Sequence, residues 1–138
     1  MSQYYQVGDH VLWNPSNGVS ALFLRSAQAL APEAGLPTGL GPMRDDECQI
    51  ELEVFTAFVS ALVHRYERSN HAILHALMEG FIATALVLVQ RAGAEPARSG
   101  GDGWRDVQVS RPSTRLPEDG ATGRWAELAA RYARSMPH

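Results

Sequence analysis

Lysine is absent from this chain, and all twelve of its basic residues are arginine. Chemistry that needs a primary amine on a flexible stem is thereby excluded: Schiff-base catalysis, pyridoxal phosphate attachment and a phosphate-loop lysine. Cysteine is nearly absent too. The single Cys48 can make neither an intramolecular disulfide nor a thiolate zinc site, which fits a reducing cytosol. An excess of positive charge is missing: the formal net charge of −3 argues against a nucleic-acid partner, which would require a basic face. Long apolar runs are also missing. The most apolar stretch, Gly80 to Val89, is far below the ~18 residues a bilayer span requires, so it reads as buried helix and no membrane partner is expected. Met1 to Tyr5 offers no basic or apolar leader segment, and the expected location is cytoplasmic. No serine nucleophile elbow, glycine-rich dinucleotide loop or Cys/His zinc pattern is present, so no cofactor is expected.

What is present fits one domain. The chain has 138 residues, 45% of them hydrophobic and 20% charged, the balance of an ordinary globular chain. Tyr4 to Trp13 alternates apolar and polar around Gly8-Asp9, which predicts a short hairpin that must pack on something else to be stable. Pro15 to Leu30 predicts a first helix, with Val19, Leu22, Phe23, Ser26 and Leu30 at helical spacing. Ala31 to Asp45 carries too many glycines and prolines for a regular element, yet Leu36, Leu40 and Met43 should pin it across the core as an ordered wall. Asp45-Asp46-Glu47 has the charge a helix N-terminus favours, and Leu52, Phe55, Val59, Leu62 and Tyr66 trace the stripe of a second helix ending near Glu67. Ser69-Asn70 caps a third, from His71 to Gly93, whose second half is apolar nearly all round. A possible strand at Trp104–Val109 and a last helix, about Arg124 to Met136, complete the chain. The expectation is a mainly α fold: a small bundle of about four helices with an N-terminal hairpin. Residues 1–93 form the core, and 94–138 form an extended segment whose helix packs on the core or on a partner.

Glu67, His71, His75 and Glu79 recur at i, i+4 spacing along the edge of the third helix. A histidine on a half-buried edge can serve as a base, and a carboxylate one turn away can orient it. The same spacing can hold a divalent metal, or can be an ordinary set of surface partners. His64 falls opposite the apolar stripe of the second helix and reads as solvated. Asp45, Asp46 and Glu47 can form a paired-carboxylate site, or simply a helix-terminal charge cluster. Tyr4, Tyr5, Trp13 and Trp104 can line an apolar pocket or fill core. Cys48 reads as a buried structural thiol.

Leu12-Trp13-Asn14-Pro15-Ser16-Asn17-Gly18-Val19, Gly35-Leu36-Pro37-Thr38-Gly39 with Gly41-Pro42-Met43, and Asp46-Glu47-Cys48 together resemble a family of small actinobacterial proteins of unassigned function. The resemblance covers roughly residues 1 to 93. It implies an association with natural-product biosynthesis and gives weight to Trp13, Asn14, Asp46 and Glu47 without assigning them roles.

The leading expectation is a cofactor-independent acid–base enzyme of dehydratase or cyclase type, acting on a polyketide-like small molecule. Its pocket would lie between the Gly/Pro loop and the second and third helices. His71 would be the base, supported by His75, with Asp46 or Glu47 the acid; Trp13, Asn14, Tyr5, Met43 and Phe81 would contact substrate. Two alternatives stand beside it: a non-enzymatic interaction protein, such as an immunity or regulatory partner using the aromatic, Arg-bearing tail, and a metal-binding bundle. A homodimer is expected under each.

Overall fold

The computed structural model describes residues 1–93 and 120–138; the expected strand at 104–109 lies outside them. Among the described residues the fold is mainly α, with four helices and a small sheet. The hairpin forms as its alternation requires. Strand β1 (Tyr4–Val7) pairs antiparallel with β2 (His10–Trp13), and Gly8 turns the chain at φ +59. Tyr5, Leu12 and Trp13 face inward and are buried.

The hairpin is not complete by itself. Strand β3 (Glu47–Gln49) adds in parallel to the other edge of β1, giving the order β2-β1-β3. This corrects the sequence reading, in which Asp45 to Glu47 opens a helix. Asp45 and Asp46 instead sit in the left-handed region, at φ 51 and 63, and the second helix starts only at Leu52. The physical reason is the free edge of β1, whose unpaired N–H and C=O groups must find partners. Tyr4 donates to the Asp46 carbonyl at 2.8 Å and Ile50 to the Gln6 carbonyl at 2.9 Å, so the segment is held at both ends. Cys48 is buried in the sheet, and its thiol donates to the Gly41 carbonyl at 3.3 Å. The Gly/Pro loop lies along this edge as an ordered wall: Gly41 donates to Gln49, and Glu51 to Gly39.

Helix α1 (Asn17–Ala34) is capped by Ser16, whose hydroxyl accepts from Val19, and ends on Gly35 at φ 70. It runs one turn past the expected end, with Pro32 inside its last turn. The face turned to the core is Ser20, Phe23 and Ala27. Val19 and Leu22, expected in the core stripe, are half or more exposed. Helix α2 (Leu52–Glu67) buries Phe55, Phe58, Val59, Leu62, Val63 and Tyr66.

Helix α3 (Ala72–Gly93) is the central element, packed by α2, by β2 and by the last helix, α4 (Gly120–Ala133). Its 22 residues, with a mean hydropathy of 2.0 over an 18-residue window, make it long and apolar enough to cross a membrane by length and composition. The run read from sequence was shorter because it omitted Ile73, Leu74, Leu77 and Met78 ahead of Glu79. In this fold the second half is core, with Ile82, Ala83, Ala85 and Leu88 fully buried. Trp125, Ala129 and Met136 are buried against that core. Leu128 and Tyr132 of the same helix are half-buried against it.

Candidate functional site

The splay of α1 against α3 opens a groove. Its volume is about 710 Å³, within the size range of small-molecule sites. Trp13, Phe23 and Phe81 form its aromatic end. These rings pack on one another: Phe23 stacks on Phe81 at 4.9 Å, and Trp13 meets Phe23 edge-on at 5.2 Å. Val19, Leu22 and Leu30 line it from α1, and Ala76, Leu77, Gly80 and Thr84 from α3. Tyr132, Ser135 and Met136 close it at the C-terminus. Among the described lining residues the polar side chains are the hydroxyls of Ser26, Thr84, Tyr132 and Ser135 and the indole of Trp13, with no carboxylate, imidazole or guanidinium.

Gly80 lies in the middle of α3, where glycine costs about 1 kcal/mol relative to alanine. Nothing lies within 4 Å of the position its Cβ would take. Neighbouring packing therefore does not demand a glycine here, and the missing side chain adds depth to the groove.

The C-terminal wall is held in place by Arg91. One Nη donates to the Leu12 carbonyl at 2.7 Å and the other to the carbonyls of Ala133 at 3.2 Å and Met136 at 2.9 Å. Partial burial lowers its pKa, yet no carboxylate pairs with it among the described residues. Asn14 adds a backbone N–H to the Pro137 carbonyl at 2.7 Å. A second cavity of about 260 Å³ lies between α1 and the Gly/Pro loop, lined by Leu24, Ala27, Leu40 and Met43 among others.

The residues expected to act together are placed apart. Trp13 and Phe81 are groove walls, and Met43 lines the smaller cavity. Tyr5 is fully buried behind Trp13, its hydroxyl 2.9 Å from Ser20 Oγ. Asn14 donates its side-chain amide to the Gln3 carbonyl at 2.8 Å. His71 is exposed at the start of α3, where Nδ1 accepts from Leu74 N–H at 3.4 Å as a helix cap. His75 stacks on Tyr66 at 3.8 Å, with Nε2 within 3.0 Å of the Tyr66 carbonyl and 2.6 Å of that of Ser69. Both partners are acceptors, so Nε2 carries the proton, and the ring pins the turn between α2 and α3. Asp46 and Glu47 are exposed at the sheet edge, Glu47 accepting from Gln6 Nε2 at 3.4 Å. His71, His75, Asp46 and Glu47 line neither cavity. Among the described residues no three His, Cys, Asp or Glu side chains gather as metal ligands.

The structure also assembles a cluster that sequence spacing does not reveal. Tyr66 donates to Glu79 Oε2 at 2.9 Å, Arg124 pairs with the same oxygen, and Trp125 meets the Tyr66 ring edge-on. Burial and the hydrogen bond to Glu79 raise the Tyr66 phenol, opposed by Arg124. This cluster ties α4 to α2 and α3. His64, expected in solvent, has a buried Nε2 with no hydrogen-bond partner among the described residues. One signal for the groove was present in the sequence: Gly80 inside the long, largely apolar helix α3.

A family model described as a family of unknown function (DUF6086) matches residues 1–138. The similarity thus includes the segment after Gly93, which the resemblance read from the sequence left outside. No curated protein and no solved structure matches the chain.

Proposed function

The chain belongs to that family of unknown function, and from this premise we propose that it binds an apolar, uncharged small molecule in the groove between α1 and α3. The observation that carries the reading is the lining itself: among the described residues, aromatic and aliphatic walls with a few hydroxyls and no charged group. A charged ligand would lose its hydration there without gaining a counter-ion. A flat or ring-bearing molecule of polyketide-like character would pack on Trp13, Phe23 and Phe81, while the hydroxyls orient its carbonyl or hydroxyl groups.

Binding is favoured over dehydratase or cyclase chemistry at this place. Serine and threonine hydroxyls without an adjacent base orient a ligand but do not remove a proton from carbon. Thr84 Oγ1, moreover, already donates to the Gly80 carbonyl at 2.9 Å.

The test is a fluorescence titration of the full chain with N-phenyl-1-naphthylamine, a neutral apolar probe. The wild-type chain should show saturable enhancement. Gly80→Leu, whose Cβ would have no other atom within 4 Å and whose isobutyl group would occupy groove space, should keep the circular dichroism spectrum and bind about tenfold more weakly or worse. A flat wild-type titration, or equal binding by the folded variant, would refute the proposal.

A further inference from the structure

We infer that the ligand of the groove carries a carbonyl on its ring system, which accepts a hydrogen bond from the indole N–H of Trp13. Trp13 thereby selects ring ketones, quinones or lactones over plain hydrocarbons of the same shape. The inference rests on the groove reading above and adds which polar group the ligand bears and what recognises it.

Trp13 is 4% exposed, and its indole N–H donates to no acceptor among the described residues. A buried indole ordinarily finds one. Nor is that nitrogen sealed in the core, since His64 Nε2 is the one fully enclosed side-chain nitrogen or oxygen without a partner among the described residues. The slight access Trp13 retains is therefore shared by its N–H, and of the two cavities Trp13 borders only the groove. The ring is not free to turn toward another partner. Its backbone pairs with Tyr5 in the sheet, and its ring lies against Tyr5 at 5.3 Å and meets Phe23 edge-on at 5.2 Å. Tyr5 is held in turn by Ser20. The N–H is thus a fixed donor in a largely apolar wall, and a donor that is already in place adds little ordering cost on binding.

Its one-way character makes this group selective. An indole N–H only donates, whereas the hydroxyls of Ser26, Tyr132 and Ser135 donate or accept and so accommodate either kind of ligand group. In the open groove water can take the Trp13 proton. A ring system packed on Phe23 and Phe81 displaces that water, and the N–H is then left unpaired unless the ligand supplies an acceptor. A hydrocarbon forfeits the bond; a carbonyl at the ring edge restores it. A carbonyl is also acceptor-only, the complement of a donor-only group, while a ligand hydroxyl can be served by any of the other polar side chains. A carboxylate would accept as well, but among the described lining residues no cation offsets its lost hydration.

The experiment displaces N-phenyl-1-naphthylamine from the full chain with 9-fluorenone and with fluorene, two rings of one shape that differ by a carbonyl in place of a methylene. Wild type should bind fluorenone about tenfold more tightly than fluorene, and in Trp13→Phe that ratio should fall to about one. A second readout uses the wild-type chain alone. In nitrogen–proton correlation spectra, the assigned Trp13 indole signal should move downfield with fluorenone and not with fluorene. The indole signal of Trp125, which borders neither cavity, should stay in place with both, and these spectra decide alone if Trp13→Phe does not fold. Equal displacement by the two rings, a preference that survives in the folded variant, or a Trp13 signal that responds alike to both overturns the inference and leaves the groove reading intact. Failure of both rings to displace a bound probe also overturns it. A wild-type chain that binds no probe overturns the groove reading, and the carbonyl selection falls with it.

Discussion

Tyr5 and Cys48 sit opposite each other in the pairing of β1 with β3, and both are fully buried. Burial pushes the Tyr5 phenol up to about 12, against the lowering effect of its bond to Ser20. Burial likewise pushes the Cys48 thiol up to about 11, against its bond to the Gly41 carbonyl. In each case folding favours the protonated form. The stabilisation is complete below the unfolded thiol value of 9.0 and is lost as pH rises through the folded values, so stability should decline between about pH 9 and 12. Thermal unfolding across that range checks this. Cys48→Ala should start from a lower midpoint but lose less between about pH 9 and 11, and parallel curves would show that the thiol plays no part. A buried, inert Cys48 was readable from its solitude in the sequence. Its place in a strand was not, because a three-residue strand has no periodicity of its own.

At the scale of elements, the long helices were legible and the short strand was not. Leu52, Phe55, Val59, Leu62 and Tyr66 repeat at helical spacing, and that repetition needs no knowledge of the rest of the chain. For Asp45 to Glu47 the local charge pattern suggested a helix start, whereas the unpaired edge of β1 drew Glu47–Gln49 into a strand and left Asp45 and Asp46 in the left-handed turn before it. Gly39 holds the loop that makes this possible. It sits at φ +80, and a Cβ there would lie 2.5 Å from the Phe55 backbone nitrogen at the first turn of α2. Gly39→Ala must therefore strain the backbone and displace the loop from α2. We expect a loss of about 2 to 4 kcal/mol in urea unfolding, from the left-handed conformation together with the overpacking. A loss below about 0.5 kcal/mol, the level of an ordinary surface change, would show that the loop relaxes freely.

At the scale of the whole molecule, Arg91 joins the two ends of the described chain, donating to one carbonyl of β2, to that of Ala133 at the end of α4 and to that of Met136 just beyond it. Arg91→Ala would leave these carbonyls without their donor, at a cost of about 2 to 4 kcal/mol. Loosening of the C-terminal wall should also let water reach Trp125, which is 5% exposed. A red shift in tryptophan emission before the global transition would report it, and unchanged emission with unchanged stability would refute the role. An arginine near the end of an apolar helix does not by itself disclose partners 79 and 45 residues away. The order of apolar and polar residues along the chain determined that there would be a hairpin and helices and roughly where they run, since these depend on neighbours within a few positions. Only the tertiary structure decided which stripe of α1 meets the core, that β1 recruits a third strand, and that His71, Asp46 and Glu47 stand away from the groove lined by Trp13 and Phe81. Edges, grooves and clamps come into being when distant elements meet, and no local periodicity encodes them.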